Sequence, residues 1–546
     1  MTNSPDGSTE GPEYLGSGPA HDGATNVRSG PRWGVIGAAT VGVVAVVGAG
    51  GWGALNLLAG GDQPADVIPA SAVGYLSVDL DPSASQKIEA VRMLKKFPGI
   101  EKELDIGDRG DLRKWIFEEM QGEGACEEID YDKDVAPWVG DRFGVAVMPM
   151  EKGADEPPFL VAMQVTDEEA AATGIEALRT CDEESEDESG YTFLNDYVLI
   201  SQSEKQAKQL AADAEEASLA DDSEFQAWGE RIGDPGFINL YASAGAADLI
   251  AEGLDSEAFD DLGSGLDGEV TTGEGSMPEQ YRTMFKDFEG MAGAVRFDDG
   301  TVEAEFAGTG MPSGVTPTDD ASAGAITELP ASTGLALSFS LPDGWSEKYL
   351  DSMSGMFGAD EDSTVEDFLV EMEKSTGLSL PEDVETLLGD NVTLALDAGL
   401  DVDALMKAQD PTKLPVGIKV QGDPEEILPI VEKIKAKVGP QADMLVVESR
   451  DGVVVFGVSP DYVQTLLEGG DLGDEEAFQK VVPDADGANS VFFVNFDAGD
   501  GWVDSLAKRA DEPNLTDNVA PLDAFGASSW VDDDGIERGL LRLTTD

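Results

Sequence analysis

Few side chains in this 546-residue chain are equipped for chemistry. There is one histidine, His21, and there are two cysteines, Cys126 and Cys181. A Ser-His-Asp triad needs an imidazole to take the serine proton, and His21 lies in a tail of Gly, Ser, Pro and Asp. Zinc and copper sites built on His or Cys clusters are excluded by the same counts. Neither a G-x-S-x-G elbow nor a phosphate-cradling G-x-x-x-x-G-K-[ST] loop occurs. Ser505-x-x-Lys508 matches one step of the penicillin-recognising enzymes, but the partner K-T-G is missing. Asn495-Phe496-Asp497-Ala498-Gly499-Asp500-Gly501 resembles the opening of a calcium loop, yet glycine stands where the third acidic ligand belongs. Arg109-Gly110-Asp111 spells an adhesion tripeptide at what reads as a helix start. Carboxylate pairs for acid–base work abound among 110 acids, and for that reason no pair is singled out. The expectation is no catalytic residue, no cofactor and no metal ligand.

The acids also set the charge. Against 34 Lys and Arg they leave a formal charge of −76, which excludes counterion-releasing contacts with nucleic acid and repels anionic lipid. Hydrophobic residues at 41% are too many for a disordered acidic chain, so a core is expected.

The run from Trp33 to Gly61 holds no charged residue and is longer than the ~20 residues that span a bilayer core. Arg28 and Arg32 precede it; Asp62 and Asp66 follow. The positive-inside rule then puts residues 1–32, a disordered tail, in the cytoplasm and everything after the run outside. The run exceeds an ordinary signal-peptide core, so an uncleaved signal-anchor spanning 33–59 is expected, with a short linker over 60–66. Its small residues would allow close helix pairing, and hence a homodimer. Outside the membrane disulfides persist, and Cys126 and Cys181 are expected to bond. Closing a loop of roughly 55 residues would stabilise by on the order of 4 kcal/mol in the chain-entropy picture.

The exported part carries one pattern twice. IPAS at Ile68–Ser71 returns as LPAS at Leu329–Ser332. Gly140-Asp141 returns as Gly389-Asp390, Val161–Val165 as Val416–Val420, Tyr197–Ile200 as Val453–Phe456, and SLADDSEFQ as DLGDEEAFQ. Asp299-Gly300 and Asp534-Gly535 divide two closing apolar runs. Alternating runs predict strands, and Asx-Gly pairs suit the positive φ of hairpin turns. Thr166 with Glu169, Ser203, Asp423-Pro424 and Ser459-Pro460 predict helix starts, and Ile427, Ile430, Val431, Ile434 and Val438 a helix face. Each unit reads strand, helices, two strands, helix, hairpin, two helices, strand and closing hairpin. The class expected is α+β: one transmembrane helix, then two tandem, internally duplicated domains (67–310 and 325–546, linked by 311–324) with largely antiparallel sheets and packed helices.

PASAVGYLSVDLDP at Pro69–Pro82, RMLKKFP at Arg92–Pro98 and DVAPWVGDR at Asp134–Arg142, following an apolar run, resemble an actinobacterial family of membrane-anchored exported proteins. That family is catalogued as a domain of unknown function (3352). The resemblance covers most of the chain from Asp66 and is clearest in the first copy; Leu387 stands where the second would need a match to Trp138. It implies location and architecture, and no activity. The reading is a non-catalytic binding or interaction module of the cell envelope with an envelope protein partner. The alternatives are an extracytoplasmic carboxylate enzyme and a purely structural envelope component.

Overall fold

The computed structural model describes residues 63–80, 84–97, 128–150, 157–180, 189–247, 287–310 except 299, 323–346 except 343, 365–401, 410–499 and 519–546. Isolated positions among 113–126, 405 and 502–503 are described as well. The first half runs β1 (Gly74–Asp79), α1 (Ala84–Leu94), β2 (Val139–Val147), β3 (Phe159–Val165), α2 (Glu168–Thr180), β4 (Gly190–Leu194), β5 (Tyr197–Ser201), α3 (Glu204–Glu216), α4 (Ser223–Glu230), β6 (Ile238–Ser243), β7 (Gly290–Asp298) and β8 (Thr301–Thr309). The second runs β9 (Thr333–Ser340), α5 (Val365–Thr376), α6 (Glu382–Leu388), β10 (Asn391–Asp397), β11 (Val416–Gln421), α7 (Pro424–Val438), β12 (Val446–Arg450), β13 (Val453–Gly457), α8 (Pro460–Glu468), α9 (Glu476–Val481), β14 (Ser490–Asn495), β15 (Leu522–Val531) and β16 (Glu537–Thr545).

Local chemistry sets the ends of these elements. Gly300, Gly452 and Gly535 hold the positive φ of tight hairpins (80°, 75° and 79°), as does Asn195 at 51°. The Ser203, Asp423 and Ser459 side chains accept from backbone N–H groups of α3, α7 and α8. At α2 the expectation fails by one residue. Asp167 Oδ1 accepts from the Ala170 N–H at 2.9 Å, whereas the Thr166 hydroxyl donates back to the Trp138 carbonyl at 3.1 Å. A carboxylate is the stronger acceptor at a helix N-terminus, which frees the threonine.

All sixteen strands of the described residues lie in one antiparallel sheet, in the order β12-β13-β11-β10-β9-β14-β15-β16-β8-β7-β6-β1-β2-β3-β5-β4. Read from either end, the two halves have the same strand sequence. They meet where β16 pairs β8, from Glu537 opposite Gly308 to Thr544 opposite Thr301. The expected α+β arrangement of two tandem domains is therefore corrected: the molecule is one continuous antiparallel sheet with a modest set of helices on its faces. Each closing hairpin ends in a strand with an open row of N–H and C=O groups, and antiparallel union of those edges satisfies both rows. The expected spanning segment, 33–59, and the tail before it lie outside the described residues. Among the described residues no helix is long and apolar enough to cross a membrane.

Alternation along each strand divides the core between the two faces. One face carries α3 and α4 over Tyr75, Leu160, Leu199 and Tyr241 in the first half, with Phe225 edge-on to Tyr75 and Tyr241. The same face carries α8 and α9 over Ala336, Val455 and Phe493 in the second, with Phe478 edge-on to Phe493. On the opposite face α2 packs Ile175 beside Trp138, Val198 and Ile200. There α7 packs Ile427 and Val431 on Val392, Val420 and Val454. Val438, the last residue of α7's expected apolar face, is 50% exposed. The sheet register also equates the halves residue by residue. Ala162 pairs with Leu199 as Lys419 pairs with Val455, two residues away from the match that the apolar runs suggest. A two-residue slip preserves alternation, so periodicity does not detect it.

Candidate functional site

The junction of the halves concentrates charge on the face that carries α4 and α9. Register places Arg296 of β7, Glu303 of β8 and Arg542 of β16 side by side. Glu303 Oε1 accepts from Arg296 Nε at 2.6 Å, and Oε2 accepts from Arg542 Nε at 2.8 Å and Nη2 at 2.6 Å. Arg296 also donates to Glu305. Arg538 lies 3.7 Å from Glu305 and pairs with Asp532 at 3.1 Å. The outer nitrogens reach the walls: Arg296 Nη1 donates to the Asp234 carbonyl, Arg538 Nη1 to Arg231 beyond α4, and Arg542 Nη1 to Lys480 of α9.

Burial opposes ionisation of Glu303, but the two guanidinium hydrogen bonds outweigh it and hold the carboxyl below its usual range. For Glu305 burial prevails, reinforced by the Glu303 charge, and the carboxyl is raised. The arrangement is a clamp. Three arginines on β7 and β16 grip the two glutamates of β8 between them and reach two helix ends, which locks the halves in one orientation while keeping the floor partly open to solvent. Side-chain exposure runs from 9% at Glu303 to 27% at Asp532. Sequence reasoning missed this site. Glu303-Ala304-Glu305 was visible as a same-face acid pair with Arg296 seven residues before it, but Arg538 and Arg542 are more than two hundred residues away, across a pairing no local signal announces.

A second cluster forms at the other end of β15 and β16. Asp497, in the turn after β14, comes together with Asp523 and Asp546, and one oxygen from each lies within 4.8 Å of the others. Desolvation, then the charges of Asp546 and Asp523, push Asp497 up to about 6. Asp523 also accepts from the Thr544 hydroxyl at 2.9 Å. Three carboxylate oxygens are a donor set for a hard cation, with water completing the shell. The calcium-like stretch noted in the sequence thus supplies one member, Asp497, and the tertiary fold supplies the other two.

Of the two cysteines, Cys126 is disulfide-bonded. Its sulfur lies 3.7 Å from the Leu178 carbonyl, at the last turn of α2. Cys181 lies outside the described residues, as do His21, Arg109–Asp111, Ser505 and Lys508.

A family model described as "Protein of unknown function (DUF3352)" matches residues 35–544. No curated protein and no solved structure matches the chain.

Proposed function

The chain belongs to the DUF3352 family of proteins of unknown function, and from that premise we propose that it is a non-catalytic binding module of the cell envelope, acting outside the cytoplasm on a protein partner. The observation that carries this reading is the clamp at β8 and β16. By joining sixteen strands into one body it gives a partner a broad surface of fixed geometry, which lowers the ordering cost of binding. Arginine is enriched at protein interfaces, and the clamp gathers three in a chain that is elsewhere strongly acidic. An address outside the cytoplasm is supported by the disulfide at Cys126, since thiols in the cytoplasm are kept reduced. Cys181, the only other cysteine, is its proposed partner.

The test is crosslinking in the native envelope, with photoreactive residues placed along the clamp walls at Arg231 and Asp234. One reproducible protein neighbour is expected, lost when the probes are moved to the exposed face of α7. Equal labelling from both positions would refute the reading. The alternative of a carboxylate enzyme has one point in its favour, the raised Asp497 beside two further carboxylates. It predicts a hydrolytic activity of the purified chain that Asp497→Asn abolishes.

A further inference from the structure

Equivalent places in the two halves differ in one respect. At the end of α8 a depression of about 390 Å³ opens, lined by Glu328, Lys419, Arg450, Asp451, Val453 and the α8 terminus at Leu467–Gly470. The matching place in the first half is filled. The β4–β5 hairpin sets Leu194, Asn195 and Tyr197 where β12–β13 sets Arg450, Asp451 and Val453. Val67, just before the IPAS stretch, stands for Glu328, just before LPAS, and Ala162 stands for Lys419. Val67, Ala162 and Tyr197 are all 0% exposed. The helix differs too: α3 has 13 residues and its counterpart α8 only 9, ending at Gly469 with φ 78°. Val67 and Ala162 are thus exchanged for the charged Glu328 and Lys419, and the Tyr197 ring and a further turn of helix for the smaller Val453 and open space.

The charges are only partly spent: Lys419 pairs with Glu328, and Glu468 accepts from Gln464 at 3.0 Å through one oxygen. Lys419 is 4% exposed, on a strand in the sheet interior. Its ammonium has three donors, and among the described residues it uses one, to Glu328 Oε2 at 2.9 Å. Arg450 and Asp451 have no side-chain partner among the described residues. Burying an ammonium with one exposed partner (the Glu328 side chain is 64% exposed) is a cost that apolar Ala162 avoids in the first half.

We propose that this depression binds a small dipolar ligand of the α-amino acid class. The carboxylate meets Lys419 and Arg450, and the ammonium meets Asp451 and Glu468. The volume suits a small molecule. Zero net charge lets the ligand escape the repulsion that a −76 chain exerts on anions, while both signs of charge are met at short range. The proposal goes beyond the docking of a protein partner at the clamp, and the two are read by separate assays.

Isothermal titration of the full chain with glycine, L-alanine, acetate and methylammonium tests it. The two amino acids should give saturable heats, and acetate and methylammonium should bind at least tenfold more weakly. Arg450→Ala, at an exposed hairpin tip that can lose its side chain without unfolding, should weaken glycine at least tenfold, about 1.4 kcal/mol. Val453→Tyr, which copies the closed half, should abolish the heat with the circular dichroism unchanged. The proposal is overturned if neither amino acid gives a saturable heat, if acetate matches glycine, or if Val453→Tyr leaves binding intact.

Discussion

Replacing Glu303 by alanine removes the acceptor of three guanidinium hydrogen bonds from two arginines. Arg296 retains Glu305, but Arg542 loses its acidic partner and keeps only the Lys480 carbonyl, at 3.4 Å. Glu303 is 9% exposed, so the loss falls in the class of a broken buried pair, costing ~3–5 kcal/mol. Because the pair bridges β8 and β16, the cost should fall on the union of the halves and not on either core. Urea is the denaturant of choice, since guanidinium salts would screen the charges under test. Wild-type protein should unfold in one transition. Glu303→Ala should shift the midpoint down and separate the transitions of the two halves. Hydrogen exchange should quicken first in peptides covering residues 301–309 and 537–545. A double-mutant cycle with Arg542→Ala should return a coupling of roughly 1–3 kcal/mol, as expected of groups in direct contact. A midpoint unmoved by Glu303→Ala, with exchange unchanged at the junction, would falsify the claim that this cluster holds the halves together.

Other consequences follow from the same geometry. The Glu303 carboxyl is depressed in the folded state, so its stabilisation is complete above the usual glutamate pKa of ~4.3 and fades as pH falls. Hence the stability difference between wild type and Glu303→Gln should shrink in acid. Asp497 has the opposite sign: its folded pKa of about 6 exceeds the unfolded value, so folding takes up a proton between the two. Stability from this group is greatest in acid and lost as pH rises to about 6, and Asp497→Asn should flatten that part of the stability profile. Gly174 packs under Trp138, and an added Cβ would sit 2.3 Å from Nε1 and 2.8 Å from the Asp134 carbonyl. Gly174→Ala should cost about 1–3 kcal/mol by overpacking, read as a lower urea midpoint; an unchanged midpoint would contradict the packing described. Expressed apart, residues 63–310 and 323–546 each expose a junction edge. Native mass spectrometry should find homodimers or aggregates of each alone and a one-to-one complex on mixing, and two stable monomers would refute the edge argument.

Much of the local architecture was legible in the residues themselves. Gly300, Gly452 and Gly535 announced their hairpins, and Ser203, Asp423 and Ser459 announced their helices. The alternating runs around IPAS and LPAS gave two matching strand orders, because side-chain alternation and capping are properties of a few neighbouring residues. The same locality explains the failures. Thr166 read as a cap because a serine or threonine three residues before a glutamate fits the pattern, but Asp167 competes better for the same N–H groups. Ala162 and Lys419 were misaligned by two because alternation repeats every two residues.

The excess of acid, the scarcity of histidine and cysteine, the faces of the strands and the order of elements in each half can be read along the chain. Long-range packing settles the rest: β8 pairs with β16, Glu303 is clasped by Arg296 and Arg542, Asp497 meets Asp523 and Asp546, and one half is open where the other is closed. The reason is physical. A strand edge offers the same backbone donors and acceptors whatever its side chains, so the choice of partner depends on which edges remain free once everything else has packed.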